Sequence, residues 1–180
     1  LYDFNNYNIN NYFKGKMRRF MNKMKIFLII LIVIVLLLLI AYFVIGNYFF
    51  DLALNPNTSK EFVLGPEVEE TEEQIERRLQ NENWLSNNSD DVYITTTNNG
   101  KLKLHAYEIL NPEKSDIWAI IIHGYTGQGK DMLGFAHEYY GRGYNILMLD
   151  LRGHGQSEGD YIGMGWHDRL DLIDWCNYLI

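Results

Sequence analysis

Twenty consecutive residues, Ile26 to Ile45, contain no charge, no glycine and no proline. At ~1.5 Å per helical residue such a run spans roughly 30 Å, the thickness of a bilayer's hydrocarbon core. In lipid, a helix lets such a run satisfy its own backbone. Tyr42, Tyr48 and the Phe49–Phe50 pair follow where an interfacial aromatic belt is expected. A secretory signal and a buried core helix are the competing readings. A signal's apolar region is usually ~7–15 residues long and ends at a small-residue cleavage site. This run is longer, and Asp51-Leu52-Ala53-Leu54-Asn55 matches such a site poorly. The expectation is an uncleaved single-pass transmembrane helix over 26–45.

Charge gives the helix a direction. Six basic residues (Lys14, Lys16, Arg18, Arg19, Lys23 and Lys25) and one acid, Asp3, lie in 1–25. Residues 46–180 hold ten Lys/Arg against 22 Asp/Glu. Positive residues stay inside, so 1–25 are expected in the cytoplasm and 46–180 outside the cell membrane. An acidic outer part lacks the clustered Lys/Arg that phosphate contacts need, which argues against a nucleic-acid partner. The single cysteine, Cys176, excludes an internal disulfide framework and a cysteine-rich zinc site. Residues 2–12 are mostly Asn and Tyr without apolar periodicity, and are expected to be a disordered end or upstream frame.

Beyond the anchor, 46–89 is expected to be a linker and an acidic helix. Gly65-Pro66-Glu67 is predicted to open that helix, with Pro in the first turn and Glu67, Glu69 and Glu70 at the positive end of the dipole. Val68, Ile75 and Leu79 form one narrow docking stripe, and Trp84 and Leu85 are expected to pack the helix onto the domain.

Residues 90–180 show alternating strand and helix patterns. Asp91–Thr97, the turn signal Asn98-Asn99-Gly100 and the alternating Lys101–Tyr107 predict an antiparallel hairpin. Ile117–Ile122 and Tyr144–Leu149 are continuous apolar runs, as in strands buried on both faces. Between them Asp131–Arg142 is predicted helical, ended by Gly143. Trp166–Ile180 is predicted helical with Leu170, Ile173, Cys176 or Asn177, and Ile180 inward. Strands alternating with helices imply an α/β sheet.

Two loops follow the apolar strands, at the ends where α/β proteins place active-site groups. The first is His123-Gly124-Tyr125-Thr126-Gly127. Its glycines let the backbone turn sharply and aim an N–H at a developing oxyanion, so a β-branched residue at 124 is expected to obstruct the turn. The second is Asp150-Leu151-Arg152-Gly153-His154-Gly155-Gln156-Ser157-Glu158-Gly159, with Asp150 lying 27 residues after His123.

With both loops in this order, residues 90–180 resemble the N-terminal half of an α/β-hydrolase, in the branch of serine aminopeptidase-like and monoglyceride-lipase-like enzymes. The implied fold is that half-sheet, an antiparallel hairpin then parallel strands with helices, preceded by one transmembrane helix. The resemblance implies ester or amide hydrolysis by a Ser-His-Asp triad on a small-molecule, lipid or peptide substrate. It makes the Tyr125 N–H one half of an oxyanion hole, the other half following the nucleophile. His123 and Gly124 would support that loop, and Asp150, Arg152 and His154 would fix the second through charge-assisted bonds. No cofactor is implied.

Gly155-Gln156-Ser157-Glu158-Gly159 is a literal G-x-S-x-G, yet it lies five residues past the strand end at Asp150 and leads into no helix. A nucleophile elbow needs a sharp strand-to-helix turn, so Ser157 is expected to bond locally. The elbow is expected after a further strand beyond Ile180, and this chain alone is expected to lack nucleophile, acid and base and to be inactive. His105 and His137 read as structural. His167 lies too near in sequence to Ser157 to return over a sheet, and no histidine spacing suggests a metal site. Two alternatives stay open: a non-catalytic membrane-anchored interaction domain, and the same fold with an Asp nucleophile, as in dehalogenases and epoxide hydrolases. An exposed sheet edge after Tyr144–Asp150 would weigh against the first.

Overall fold

A computed structural model describes residues 2–65, 69–98, 100–113 and 116–180. The chain divides into two units, Leu1–Phe49 and Phe50–Ile180. The described residues of the first, 2–49, all lie within a helix α1 that runs from Tyr2 to Ala53. Its stretch Tyr12–Ala53 has a mean hydropathy of 3.7 in its most apolar window and none of that window is buried. It is a candidate membrane span by length and composition, a test that signal sequences near an N-terminus also pass. Residues 2–12, predicted irregular, are helical with the rest.

In the second unit, a single helical turn α2 (Glu61–Leu64) precedes helix α3 (Glu72–Asn88). The expected start at Gly65-Pro66-Glu67 is corrected: Thr71 caps α3. Its hydroxyl accepts from the Gln74 N–H at 3.3 Å, and the Gln74 side chain accepts from the Thr71 N–H at 2.8 Å. This reciprocal box satisfies two donors that a helix start leaves open. Pro66, Glu67 and Val68 lie outside the described residues. The predicted stripe is not inward either, since Ile75 and Leu79 are exposed. The helix docks by its last turns, with Leu85 in the core and the Trp84 ring 4.0 Å from the His137 ring.

The sheet holds β1 (Asp90–Thr95), β2 (Lys103–Ile109), β3 (Trp118–Ile122) and β4 (Asn145–Leu149) in the order β1-β2-β4-β3. β1 and β2 form the predicted antiparallel hairpin, with Tyr93 opposite His105. Asn99 of its turn lies outside the described residues. β4 runs antiparallel to β2 and parallel to β3. A 3-10 turn (Gly129–Met132) and helix α4 (Leu133–Tyr140) make the crossover between β3 and β4. The result is a partial mixed sheet.

The crossover places β4 in the middle, where all five residues are buried. Ile146 and Met148 face one core with Leu85, Ile109, Ile121, Leu133 and Ala136. Leu147 and Leu149 face the other with Leu104, Ala106 and Trp175. That division is the two-residue period of a strand covered on both sides. The similar run in β3 was expected to be equally buried, but it is an edge strand, mostly half-buried with Ile122 exposed. The edges of the sheet are therefore β1 and β3, and not Tyr144–Asp150.

Helix α5 (Asp168–Tyr178) corrects a second expectation. Ile173 and Ile180 face outward, while Asp168, Asp171, Asp174 and Trp175 are buried. Burying carboxylates is tolerated only when they are partnered, and those partners belong to the site.

Candidate active site

Asp150, directly after β4, is the centre of a buried network. It is 1% exposed. One carboxylate oxygen accepts from the Gly129 N–H at 2.7 Å. The other accepts from the Gln156 N–H at 2.9 Å and lies 2.7 Å from His105 Nδ1. The other ring nitrogen of His105 reaches Asp91 at 2.9 Å, so a fully buried imidazole sits between two carboxylates. Burial pushes His105 down, but the hydrogen bonds and charges of Asp150 and Asp91 outweigh it and raise the ring above its ordinary value. Burial likewise pushes Asp150 up, while His105 and the two backbone N–H groups hold its carboxyl below the usual range.

This network explains one glycine of the second loop. Gly155 has φ +52°, and a Cβ there would lie 2.1 Å from the Asp150 carboxylate. Only glycine permits both that backbone and that approach.

Ser157 has no freedom to act as a nucleophile in this arrangement. Its hydroxyl donates to the Asp150 carbonyl at 2.6 Å and accepts from the His105 N–H at 2.8 Å. It bonds the backbone of His105, whose ring is taken by the two aspartates. The hydroxyl continues the β2–β4 ladder past its last pair, where the Asp150 N–H donates to the His105 carbonyl at 3.0 Å.

Two histidines tie the loops together. His123 is 4% exposed; its Nδ1 donates to the Gly124 carbonyl at 2.7 Å and its Nε2 accepts from the Leu151 N–H at 3.1 Å. Burial holds its ring below the ordinary value, opposed by the bond to Gly124 and aided by nearby His154. His154 meets the Arg152 carbonyl at 3.0 Å and the Tyr125 carbonyl at 2.7 Å. The two rings stand 4.8 Å apart.

Tyr125 is thereby fixed. His154 holds its carbonyl, and its phenol donates to the Ala53 carbonyl. Among the described residues its own N–H has no hydrogen-bond partner. The backbone at Gly124 does not itself require glycine: its φ lies outside the left-handed region, and a Cβ there would meet nothing within 4 Å.

His123, Gly124 and Tyr125 line a cavity of about 450 Å³ whose other walls are largely apolar, including Leu151, Ile162 and Leu172. Beneath it lies a charge cluster that periodicity did not reveal. Arg152, 1% exposed, makes a two-point pair with Asp171 at 2.8 and 2.6 Å and donates to the Tyr161 hydroxyl at 3.1 Å. Asp174 accepts from the Thr97 N–H and hydroxyl at 2.9 and 2.7 Å. Asp168 accepts from the Gly165 N–H at 2.6 Å. Its second oxygen is buried and, among the described residues, has no hydrogen-bond partner; it lies 3.9 Å from the Arg152 Nε. The signal for this cluster was present in the sequence as three aspartates at three-residue spacing. Among the described residues no group of three or more His, Cys, Asp or Glu side chains is placed to hold a metal.

No protein-family model and no curated protein matches the chain. Among solved structures it is similar to the esterase Pf2001 of Pyrococcus furiosus, at 34% identity over 54% of this chain and 37% of that one, with a TM-score of 0.48. It is also similar to the α/β hydrolase GrgF of a Penicillium species, at 22% identity, covering 50% of this chain and 31% of that one with a TM-score of 0.42. The haloalkane dehalogenase DpaA of Paraglaciecola agarilytica is 16% identical, with the same coverage and a TM-score of 0.43. Such neighbours are α/β-hydrolases that match about half of the chain. The chain itself spans little more than a third of the esterase's length, 37%.

Proposed function

We propose that this chain carries the oxyanion-loop half of a membrane-anchored α/β-hydrolase, and that the whole enzyme cleaves ester or amide bonds by acyl transfer. The observation that supports the reading is the Tyr125 N–H: it has no partner among the described residues, and it belongs to a residue held at its carbonyl and its phenol on the wall of an apolar cavity. A donor held in place at the carboxyl end of a sheet strand is suited to receive the oxyanion of a tetrahedral intermediate. A serine on a further strand, paired to the open edge of β3, would attack the carbonyl carbon. The N–H after that serine would give the second hydrogen bond. His123 takes no part as a base, because its Nε2 is occupied by the Leu151 N–H. Its role is to hold the two loops in register.

The test is removal of the donor itself. In the enzyme that contains this chain, Tyr125→Pro deletes the N–H, while Tyr125→Phe keeps it and removes only the hydroxyl. Losing one oxyanion donor costs roughly 10²–10³ in turnover. Turnover of a short acyl ester by the Pro variant is expected to fall by that factor below the Phe variant, with KM little changed. Equal turnover by the two, with matching circular dichroism, would overturn the assignment.

A further inference from the structure

We infer that Leu52–Lys60, the segment that ends α1, is a positioning strap for the oxyanion loop, with Lys60 as the positioning residue that locks it. The inference rests on the reading of Tyr125 just given and extends it to residues outside both loops.

The physical reason begins at the helix end. The last four carbonyls of a helix have no partner within it. In α1 the Phe50 carbonyl is taken locally, by the N–H groups of Leu54 at 2.7 Å and Asn55 at 3.2 Å. The next open carbonyls are taken by side chains from farther along the chain. Lys60 Nζ donates to the Leu52 carbonyl at 2.9 Å and to the Asn55 carbonyl at 2.8 Å. The Tyr125 phenol donates to the Ala53 carbonyl across 72 residues of sequence. One residue on, the Leu54 carbonyl accepts from the Ile162 N–H at 2.8 Å. Residues Leu52 to Pro56 are half-buried by these contacts.

Water would serve as well at an ordinary helix end. Here the two donors, Tyr125 and Ile162, sit on opposite loops of one cavity. The strap therefore bridges the loop after β3 and the loop after β4 from outside, as His123 and His154 bridge them from inside. Among the described residues the Lys60 ammonium bonds only within the strap. It closes the strap on itself by joining Leu52 to Asn55, and so holds the Ala53 and Leu54 carbonyls where the loops meet them. A strap that opens releases the phenol. The Tyr125 N–H is then held only through the His154 bond to its carbonyl.

Amide hydrogen exchange on the full 180-residue chain in detergent micelles tests this without any need for turnover. Lys60→Met keeps the alkyl stem and removes both bonds. The expected result is exchange roughly five-fold faster at the Gly127 amide, which donates to the Gly124 carbonyl at 3.1 Å, as well as in the strap, the factor that one net hydrogen bond corresponds to. Coupling is reciprocal, so Tyr125→Phe should speed exchange in 54–58. The double variant should exceed neither single variant by much, and Lys60→Arg should restore protection. Acceleration confined to the strap in Lys60→Met, with the Gly127 amide unchanged, overturns the inference, as does full additivity in the double variant. In the active enzyme the same variant, with kcat referred to active sites counted by titration, should lower kcat and leave KM unmoved; because loss of folded protein lowers the titre and not the turnover per titrated site, the titrated value separates the two. The exchange pattern decides the strap, and the Tyr125→Pro turnover decides the oxyanion assignment. Either can fail while the other stands.

Discussion

Replacing Ser157 by alanine separates the two roles that a serine in a G-x-S-x-G sequence can have. The hydroxyl makes two bonds, of 2.6 Å to the Asp150 carbonyl and 2.8 Å from the His105 N–H. Asp150 is 1% exposed and His105 0%, while Ser157 itself is half-buried, so water replaces the lost oxygen only in part. Alanine leaves a backbone carbonyl and a backbone N–H stranded at the end of the β2–β4 ladder. A stranded buried polar group costs about 1–3 kcal/mol, and two with a common origin give about 2–4 kcal/mol. A domain is typically stable by about 5–15 kcal/mol, so the effect is large. With a urea dependence of about 2 kcal/mol per molar, the unfolding midpoint should fall by about 1–2 M. Tryptophan fluorescence follows it, since Trp84 and Trp175 report from the two opposite faces of the sheet. A loss under about 0.5 kcal/mol would refute the structural role. So would hydrolysis of an acyl ester by the wild-type chain that disappears in a Ser157→Ala variant of unchanged midpoint.

Gly155→Ala places a Cβ 2.1 Å from the Asp150 carboxylate at φ +52°, and should cost at least about 3 kcal/mol in the same urea assay. The stability of the folded unit should also pass through a maximum near the ordinary histidine value of 6.5. His105 is raised in the fold, so its contribution is complete below that value and fades as pH climbs through its folded value; His123 is lowered, so stability falls as pH drops below 6.5. Urea midpoints from about pH 5 to 9 should lose the alkaline limb in His105→Gln and the acid limb in His123→Gln, and a profile unchanged in both would refute the raised His105 and the lowered His123. For the proposed topology, protease added to intact spheroplasts should digest residues 46–180, and cleavage that requires permeabilisation would reverse the orientation.

The sheet was legible where neighbouring residues decide the outcome. β4 shows its burial as five apolar residues in a row, and the β1–β2 hairpin shows itself by alternation. Local pattern could not separate β4 from β3, because burial of a strand depends on which strands flank it. Helix α5 misled for a related reason. Apolar spacing chose Ile173 and Ile180, but the inner face belongs to aspartates whose partners are Arg152, Thr97 and Gly165, brought there by loops with no periodicity. In α3 the capping pair Thr71 and Gln74 stood in the sequence, yet the Gly-Pro pair before it was the louder signal. The two site loops were visible because each directly follows an apolar strand. What they bond was not: His105 meets Asp150 across 45 residues and Tyr125 meets Ala53 across 72.

The polar groups around Tyr125 give the open N–H its meaning. Both ring nitrogens of His123 are engaged, as are both oxygens of Asp150 and the Ser157 hydroxyl. Such saturation is what low-dielectric surroundings demand, since each unpaired group there costs free energy. A donor left unclaimed within that network gains nothing for the fold. It gains only when an acceptor enters the cavity, and most when that acceptor carries charge. The rigid surroundings then matter twice. They keep the Tyr125 N–H from turning to satisfy itself on a neighbouring carbonyl, and they remove the reorganisation that a flexible loop would undergo during the reaction. On the proposed reading, the buried ion pairs of the second loop, His105–Asp150 and Arg152–Asp171, act at a distance by stiffening the loop whose His154 reaches the Tyr125 carbonyl.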